Sequence, residues 1–425
     1  MAQKTTLTVR DRKIMIYFFY AFAAVAFLSS FLFQDFSDSI EGLRRIIASP
    51  SMLNTDYIEI GGMGAALLNG AINMLIMTLL VHILKAPMSG ILIAAMVSVF
   101  GYSFYGTNFV NSIPLVLGGF VYAKIMGISP GLPIIYFTTG ASALVSTLAL
   151  NEYFSLPVGI VVGSIAGFLV GVVTPGVAGA KGAYHKGYNL YNIGFVIGLL
   201  VIVIANSFRM IGVVFEPAAT GLYEGDDTLI SYFILGIGLI LVVMGLVINK
   251  GLSGSRDLLR DTGRSNRAFY QDHSLGNVLF NMGVITLIAW AYVRLNGAKF
   301  TGPVHASLYF MTGFAAQGKH PLNSIPVMLG VFIAFQLSPL ESSSTLAMLV
   351  AMFSTTLAPF AGEYGIIAGI IAGFMHAGVA TNLASLHGWM NLYNNGLAGG
   401  IVSITYLPVL QALRQRFHPK RYQEL

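Results

Sequence analysis

The sequence has no cysteine and very little charge. Of its 425 residues, 9% are charged and 56% are hydrophobic, whereas an ordinary soluble domain has about 25% charged residues. A soluble protein of this size needs more charge to cover its surface, so the composition predicts a membrane protein. The absence of cysteine excludes disulfides and thiolate metal sites.

Long apolar runs recur along the whole chain, and each approaches the roughly 20 residues that span a bilayer. Clear examples are residues 14–33, 190–208 and 229–248. The first run follows basic residues, as in a signal peptide. It is long, however, and Gln34 and Asp35 follow it instead of a small-residue cleavage site. We therefore expect a retained helix in an all-α, multi-pass membrane protein.

Basic residues predict the orientation, because the cytoplasmic loops of membrane proteins are enriched in lysine and arginine. They concentrate near the N-terminus, in the segment 250–267 and in the tail 414–421, whereas the segments 35–59 and 216–227 are richer in acids. Both termini are therefore expected in the cytoplasm, in a protein of the cell membrane. The net charge of +6 reflects this topology, and no nucleic-acid partner is needed to explain it.

The chain contains an internal repeat. Residues 176–194 read GVAGAKGAYHKGYNLYNIG and residues 378–396 read GVATNLASLHGWMNLYNNG, with nine of nineteen positions identical. Residues 106–118 (GTNFVNSIPLVLG) match residues 318–330 (GKHPLNSIPVMLG) in the same way. We call these the NLYN and NSIP motifs, and they predict a tandem duplication of roughly 140 residues. The alignment also pairs glycines at four-residue spacing, which predict close helix packing: Gly163, Gly167 and Gly171 with Gly365, Gly369 and Gly373.

Charge and repetition together predict that the two copies are inverted. The first copy follows an acidic external segment, and the second follows a basic linker, with one helix between the copies. Opposite orientation of two copies is common among transporters. The expected organisation is an N-terminal helix and external segment (1–60), repeat 1 (61–210), a connecting helix and cytoplasmic linker (211–275), repeat 2 (276–412) and a basic cytoplasmic tail (413–425).

Each copy holds about six hydrophobic segments of unequal length, and the segments beside the NSIP motif are short. A proline in the first turn of a helix is tolerated, so this motif predicts a break followed by a new helix. Such short helices either re-enter the membrane or cross it as broken spans, and an ordinary surface loop is the alternative. The helices at 14–33 and 229–248 are expected outside the copies, at the periphery.

Neutral polar side chains are the candidate pathway residues. The two asparagines of each NLYN motif are three residues apart and would share one helical face. In a membrane, neighbouring helices or a wet cavity satisfy such groups, so they either line a pathway or hold broken helices in shape. The candidates are Asn69, Asn108, Asn111, Ser112, His185, Asn189, Tyr191 and Asn192 in the first copy, and Asn281, His320, Asn323, Ser324, His387, Asn391, Tyr393 and Asn394 in the second.

The chemistry of these groups favours transport. No acid is clearly placed within the apolar segments, as a cation pump would require, whereas amides, tyrosines and helix N-termini suit an uncharged solute or an anion. We expect a transporter or channel for a small polar, uncharged solute, in contact with membrane lipids, homo-oligomeric, and without cofactor or metal. A membrane scaffold or lipid-interacting assembly protein is the alternative. An intramembrane enzyme is less favoured, because no catalytic signature is present.

The doubled NSIP and NLYN motifs resemble those of an uncharacterised bacterial and archaeal family of multi-pass membrane proteins with a duplicated domain of unknown function. The resemblance covers residues 61–410 and implies no activity. The asparagine turns at 192–194 and 394–396 are also similar to the turn that leads into a helix in urea channels, which have two inverted halves. The proline- and threonine-rich signature that follows this turn in urea channels is absent here, so their substrate is not carried over.

Overall fold

The computed structural model describes residues 9–179, 185–217, 220–264 and 269–417, and all regular elements in these ranges are helices. The helices of the first half are α1 (Val9–Phe33), α2 (Phe36–Ile47), α3 (Tyr57–Gly61), α4 (Met63–Ile83), α5 (Gly90–Tyr102), α6 (Ile113–Ile125), α7 (Leu132–Thr138), α8 (Ser142–Ala149), α9 (Leu156–Gly179) and α10 (Asn192–Met210). Those of the second half are α11 (Thr228–Asn249), α12 (Ser255–Leu258), α13 (Phe269–Asp272), α14 (Leu275–Leu295), α15 (Gly302–Phe314), α16 (Pro321–Gln336), α17 (Thr345–Ser354), α18 (Ala358–Tyr364), α19 (Ile366–Ala380) and α20 (Asn394–Phe417).

Nine helices of the described ranges are long and apolar enough to cross a membrane, if α7–α8 and α17–α18 are each counted as one. This confirms the prediction of an all-α, multi-pass membrane protein. The helical bundle has two ends, which we name by their loops. The linker end carries residues 250–264, and the α2 end carries α2 and residues 213–217.

The amphipathic helix α2 covers one end of the bundle. Ser39, Leu43 and Ile46 are buried on one of its sides, whereas Glu41 and Arg44 form an exposed ion pair. A helix with one apolar and one charged face fits the boundary between an apolar and an aqueous environment. The pattern of α2 therefore explains why this helix lies across the end of α4 instead of continuing α1.

The first two long helices of each half pack in the same way. α1 is antiparallel to α4, because Arg12 bonds the Val81 carbonyl (3.3 Å) at one end and Gln34 bonds the Gly61 carbonyl (3.1 Å) at the other. The matching contacts of α11 and α14 join Asp227 to Arg294 and Asn249 to Asn277. The helices α1 and α11, expected outside the copies, therefore occupy corresponding positions, and each structural repeat contains one helix more than the sequence predicted.

Two pairs of short helices form hairpins. In each pair, the first helix enters the bundle at one end and the second leaves it at that same end. α5 reaches the α2 end, where the Tyr57 amide donates to the Phe104 carbonyl (3.1 Å), and α6 then returns alongside α9. α15 begins beside Phe104 at the α2 end, and α16 returns alongside α19. We call α5–α6 hairpin 1 and α15–α16 hairpin 2. The two helices of each hairpin are therefore antiparallel, with the motif-bearing turn between them.

Glycines bring each hairpin into contact with the helix behind it. A Cβ atom on Gly171 of α9 would lie 2.2 Å from the Leu115 carbonyl oxygen of α6. A Cβ atom on Gly373 of α19 would lie 2.0 Å from the Val327 carbonyl oxygen of α16. Neither position has room for a larger residue, because atoms at such distances overlap. The predicted packing role of the repeated glycines is confirmed at these two corresponding sites.

Corresponding residues of the two repeats touch each other, which places a pseudo-twofold axis between them. A Cβ atom on Gly396 would lie 3.0 Å from the Gly194 α-carbon, and these glycines end the two NLYN motifs. α5 and α15 cross antiparallel through matched close approaches, Gly101 to Ala306 and Gly313 to Ala94. The axis is therefore perpendicular to these helices, and the repeats are inverted relative to each other.

Two membrane-length segments are interrupted close to this axis by a turn of 3-10 helix. The turns are Thr139–Ala141 between α7 and α8, and Thr355–Leu357 between α17 and α18. The hydroxyls of Thr139 and Thr355 donate back to the carbonyls of Tyr136 (2.7 Å) and Met352 (2.5 Å). Threonine bonds of this kind compete with the regular helical pattern, and the freed backbone groups become available to other segments.

Candidate functional site

One asparagine in each repeat anchors the tip of a hairpin. Asn69 on α4 donates to the carbonyls of Ser103 and Thr107, both at 2.9 Å. Asn281 on α14 donates to the corresponding carbonyls, those of Ala315 (2.9 Å) and Lys319 (2.7 Å). Carbonyls beyond a helix end have no donor within the helix. The two asparagines supply these donors and so stabilise irregular backbone inside the protein.

A second asparagine in each hairpin bonds two backbone groups of its own tip. Asn111 donates to the Gly106 carbonyl (3.0 Å) and accepts from the Asn108 amide (2.8 Å). In hairpin 2 the same two bonds join Asn323 to the Gly318 carbonyl (2.9 Å) and to the His320 amide (2.9 Å). Gly106 and Gly318 have φ values of 148° and 128°, which favour glycine. Both tips therefore have the same local construction.

The two tips differ in where the returning helix begins. α6 begins within the first NSIP motif, with Pro114 in its first turn, as predicted. α16 begins earlier, at Pro321, so the predicted break is present before it, but the tetrapeptide Asn-Ser-Ile-Pro lies inside the helix and not at its start, as was predicted. The reason is that Pro321 already provides a proline start, whereas Phe109 occupies the matching position. The serines of the motifs bond locally, Ser112 to the Phe109 carbonyl (3.2 Å) and Ser324 to the Asn323 side chain (3.1 Å).

The asparagines of each NLYN motif do not share a helical face, contrary to the prediction. Asn189 and Asn391 precede the helices, and their side chains accept from the amides two residues later, at 3.1 and 3.0 Å. Asn192 and Asn394 are the first residues of α10 and α20. The first asparagine of each motif forms a turn that is not helical, because its side chain replaces a backbone acceptor. The second asparagine therefore lies on a helix and the first does not.

The histidines of the NLYN motifs bond within their own repeat. His185 Nε2 lies 2.7 Å from Asn192 Oδ1, and His387 Nε2 lies 3.0 Å from Asn394 Oδ1. Asn394 also donates to the Ala380 carbonyl (2.8 Å). No group of three or more His, Cys, Asp or Glu side chains that could hold a metal ion occurs in the ranges that the structure describes. Each histidine therefore orients an asparagine of its own repeat.

Each NLYN motif is bound to the 3-10 turn of the other repeat. The Leu190 amide donates to the Thr356 carbonyl (3.0 Å), and the Leu392 amide donates to the Gly140 carbonyl (3.2 Å). Asn189 strengthens the first contact, because its Oδ1 accepts from the Thr356 hydroxyl (2.6 Å). These reciprocal bonds explain why the motif occurs in both repeats. Each NLYN motif supplies hydrogen-bond donors to the interrupted helix of the opposite repeat.

A fully buried lysine lies at the tip of hairpin 2, and the sequence analysis did not single it out. Lys319 Nζ donates to the hydroxyls of Tyr191 and of Thr355, the latter at 2.7 Å. No carboxylate of the described residues forms an ion pair with it. Lys319 corresponds to Thr107 of hairpin 1, whose hydroxyl donates to the Thr139 carbonyl (3.2 Å). The signal was present, since Lys319 is the one charged residue between Lys299 and Glu341.

Aromatic rings surround the ammonium group of this lysine. The ammonium lies 4.4 Å from the centre of the Tyr191 ring and 5.3 Å from that of Phe314. Phe310 joins both halves of the cluster, with ring centroids 5.6 Å from Tyr191 and 5.3 Å from Tyr393. Tyr102 packs against Tyr393 at 5.0 Å. The two tyrosines of the NLYN motifs thus meet in one buried cluster, which we call the axial cluster.

Two cavities lie beside this core. The larger, about 460 Å³, is an apolar groove between α1 and α11 that also reaches Tyr309 and Thr312. The smaller, about 180 Å³, lies between α4, α6 and α7 and is lined by Asn73, Ser112 and Thr139 among other residues. Of the predicted pathway residues, Ser112 lines the smaller cavity. The buried asparagines bond protein backbone, as the alternative role of holding broken helices requires.

Loops cover the tips of both hairpins. At the linker end, Asp261 accepts from His320 Nε2 through its carbonyl (2.8 Å), and Gly263 lies against Gly318. Glu363 is held there between Arg264 (3.1 Å) and Arg414 (3.3 Å). Since buried charges are stable only when paired, these contacts fix the linker over hairpin 2.

At the α2 end, one carboxylate joins three segments. Asp56 accepts from the amides of Ile58 (2.8 Å), Tyr223 (2.9 Å) and Gly302 (3.0 Å), which belong to α3, the loop before α11 and the start of α15. Its side chain is buried, and this burial raises the pKa of Asp56 from 3.8 to about 6, although the backbone amides act in the opposite direction. The same region covers hairpin 1, where the Tyr57 hydroxyl accepts from Asn108 (3.3 Å).

Comparison with protein families gives one result. The model described as "Protein of unknown function (DUF1576)" matches residues 36–210 and 247–412. The chain belongs to this family. The matched stretches are consistent with a duplicated domain. No curated protein and no solved structure matches the chain.

Proposed function

We propose that this member of the DUF1576 family is a transporter or channel for a small polar solute. The observation that carries the proposal is the pair of inverted hairpins, whose tips lie near opposite ends of the bundle with the axial cluster and its buried lysine between them. Inverted repeats with broken helices around a central site are typical of secondary transporters.

The proposed pathway runs along the two hairpins. Its two closures are the linker over hairpin 2 and the Asp56 contacts over hairpin 1. Release of either closure alone would open the axial cluster to one end of the bundle. Because the repeats are inverted, the same local movement opens opposite ends. The asparagines at the tips keep each hairpin intact during this movement.

The proposal places the protein in the cell membrane with both termini in the cytoplasm, on the basis of the basic residues of the linker end. Membrane lipids cover its apolar sides, and no cofactor, metal or nucleic acid is part of the proposal. The outer faces of α1 and α11 expose large apolar side chains, among them Leu32 (71%) and Val247 (70%). In the proposal, these faces form the subunit contacts of a homo-oligomer that has one pathway in each subunit.

A membrane scaffold is the second candidate, and one observation favours it. The tip asparagines bond protein backbone, and the larger cavity is an apolar groove on the side of α1. A scaffold would need these bonds for its shape alone. The two candidates differ in one measurable property, the passage of solute across a sealed membrane.

Uptake into proteoliposomes tests the proposal. The purified chain is reconstituted and assayed with radiolabelled small polar solutes, both neutral and anionic, with and without sodium and proton gradients. Uptake above that of protein-free liposomes is expected for at least one solute. Tyr191→Phe removes the hydroxyl that contacts Lys319 and should slow this uptake about tenfold or more, because hydrogen bonds to charged groups contribute about 1.5–3 kcal/mol.

Tyr17→Phe is the matched control, because Tyr17 is 69% exposed on α1 and the same atom is removed there. It should transport as the unaltered chain does. Absence of uptake for the whole solute panel would favour the scaffold. Equal uptake by the unaltered chain and Tyr191→Phe would retain transport and contradict the role of Tyr191 in it.

A further inference from the structure

We propose that Lys319 is the counter-charge of an anion-binding site, and that the solute is a small monocarboxylate. This inference rests on the proposed transport function and names the solute class of the same site. It replaces the expectation of an uncharged solute, which came from a sequence analysis that had not recognised the buried lysine.

The first argument is the absence of a counter-charge. The Lys319 side chain is fully buried, and among the described residues its polar contacts are two neutral hydroxyls, those of Tyr191 and Thr355. A buried ammonium is costly unless it is paired. Intramembrane charges of this kind are found at substrate and ion sites. A bound anion supplies the partner that the protein itself does not provide.

The second argument is the convergence of hydroxyl groups. The Tyr102 ring centroid lies 6.1 Å from that of Tyr105 and 5.0 Å from that of Tyr393, and Phe310 joins Tyr393 to Tyr191. The Tyr105 hydroxyl has no hydrogen-bond partner in the described structure. Hydroxyl groups are hydrogen-bond donors to a carboxylate, and a buried hydroxyl without a partner is unfavourable. The axial cluster therefore holds more donors than the protein uses.

The third argument concerns charge and shape. One ammonium balances one negative charge, so a dianion would leave a charge uncompensated at membrane depth. The other side chains of the axial cluster are aromatic: Phe310 and Phe314 pack at 6.1 Å, and Phe137 and Phe353 extend the cluster on either side. Aromatic neighbours favour a ligand with an apolar body over a bare inorganic ion. A short-chain or aromatic monocarboxylate satisfies both requirements.

The comparison of the two repeats supports the assignment. Thr107 occupies the corresponding position in hairpin 1 and satisfies its hydroxyl on the Thr139 carbonyl (3.2 Å). The fold of a tip therefore does not require a lysine, since hairpin 1 is built with the same asparagine and glycine contacts. The charge is an addition to hairpin 2 and makes the axial cluster asymmetric. Lys319→Thr copies the tip of hairpin 1 and is the natural test variant.

Thermal unfolding of the full-length protein in detergent tests the proposal. The probes are propionate, butyrate and benzoate, each compared with its neutral amide, and sodium chloride serves as the bare-anion control. At least one carboxylate should raise the Tm of the unaltered chain in a concentration-dependent manner, and its amide should not. Lys319→Thr should weaken the apparent affinity about tenfold or more, whereas Lys319→Arg retains the charge and should keep part of it.

Several results would overturn the inference. These are equal Tm shifts by a carboxylate and its amide, no shift by any carboxylate, an equal shift by chloride, or an unchanged affinity in Lys319→Thr. If Lys319→Thr does not fold, the comparison of carboxylate with amide on the unaltered chain still decides. Proton movement that accompanies amide uptake and disappears in Lys319→Thr would make Lys319 a proton carrier and would also contradict the anion site.

The outcomes for this site and for the proposed function are separable. Carboxylate binding through Lys319 without uptake in proteoliposomes would retain the anion site and reject transport. Uptake of neutral amides that persists in Lys319→Thr would retain transport and reject the anion site.

Discussion

At the scale of single residues, Asn192 and Asn394 correspond in sequence but differ in their contacts. Asn394 is buried and bonds both His387 (3.0 Å) and the Ala380 carbonyl (2.8 Å). Asn192 is half-buried, and its bond to a side chain is the one from His185 (2.7 Å). A buried carbonyl that loses its donor costs about 1–3 kcal/mol. Mutation of these two positions can therefore distinguish a structural role of the asparagines from a role in the pathway.

We predict that Asn394→Leu lowers the Tm more than Asn192→Leu does. The expected difference is about 1–3 kcal/mol of unfolding free energy, because among the described residues only the first change removes the donor of a backbone carbonyl, that of Ala380. Tm and solute uptake are to be measured on both variants. Normal uptake by a destabilised Asn394→Leu protein would support the clamp role. Loss of uptake at an unchanged Tm would support the pathway role that the sequence analysis proposed.

A second residue-scale prediction concerns Asp56 and pH. The pKa of Asp56 is about 6 in the folded chain and 3.8 ordinarily, so the folded chain binds this proton more tightly than the unfolded chain does. The contribution to stability is therefore fully present below about pH 4 and is lost as the pH rises to about 6. Asp56→Asn removes this dependence. It also places an amide opposite the Tyr223 amide, which lowers stability at every pH.

The measurement is the Tm of the unaltered chain and of Asp56→Asn between about pH 4 and 8. Subtraction of the two curves removes the other titrating groups. The Tm advantage of the unaltered chain should shrink between pH 4 and 6 and stay constant above. Two parallel curves across the whole range would show that Asp56 does not titrate there.

At the scale of helices, the contact between hairpin 2 and α19 depends on the absence of a side chain. Gly373 has no room for a Cβ atom beside the Val327 carbonyl, whereas Gly378, five residues later on the same helix, has no atom within 4 Å of a built Cβ. The two glycines form a matched pair for mutation. A change at Gly373 tests the packing of the two helices, whereas a change at Gly378 reports helix propensity alone.

We predict that Gly373→Ala destabilises the protein, because the added methyl group forces α16 away from α19, and overpacking of this kind costs about 1–3 kcal/mol or more. Gly378→Ala should leave the Tm unchanged or raise it, since alanine favours a helix over glycine by about 1 kcal/mol. Thermal unfolding of both variants is the measurement. Equal Tm values for the two variants would contradict the close approach of these helices.

At the scale of the whole molecule, the linker and the loop before α11 lie at opposite ends of the bundle, because the long helix α11 connects them. Leu252 at the linker end is 60% exposed, and Glu216 at the α2 end is also exposed. The chain has no cysteine, so a single introduced cysteine is the one thiol available to a reagent. The orientation in the membrane can thus be read directly.

We predict that Glu216→Cys reacts with a membrane-impermeant maleimide on intact cells. Leu252→Cys should react only after the cells are permeabilised, because the basic linker is expected in the cytoplasm. Labelling yield on gels is the measurement, with the unaltered chain as the unreactive control. The reverse pattern would invert the proposed orientation and leave the fold unchanged.

The sequence by itself determined the class, the duplication and the tip residues. Low charge and long apolar runs are sufficient for the membrane assignment, because the bilayer selects on composition. The inversion followed from the basic linker between two copies. The NSIP and NLYN motifs pointed to asparagines that the structure places at the hairpin tips and beside the axis, as Asn111 and Asn323 illustrate.

Tertiary structure decided everything that depends on contacts between residues far apart in the chain. The carbonyls that Asn69 and Asn281 satisfy lie 34 and 38 residues away in each case, and the NLYN motifs bond the opposite repeat. No local pattern encodes such pairings. Lys319 was visible as a lone charge in an apolar stretch, but its burial between Tyr191 and Thr355 exists only after the two halves pack. A residue's burial is a property of its neighbours in space, and the chain acquires those neighbours by folding.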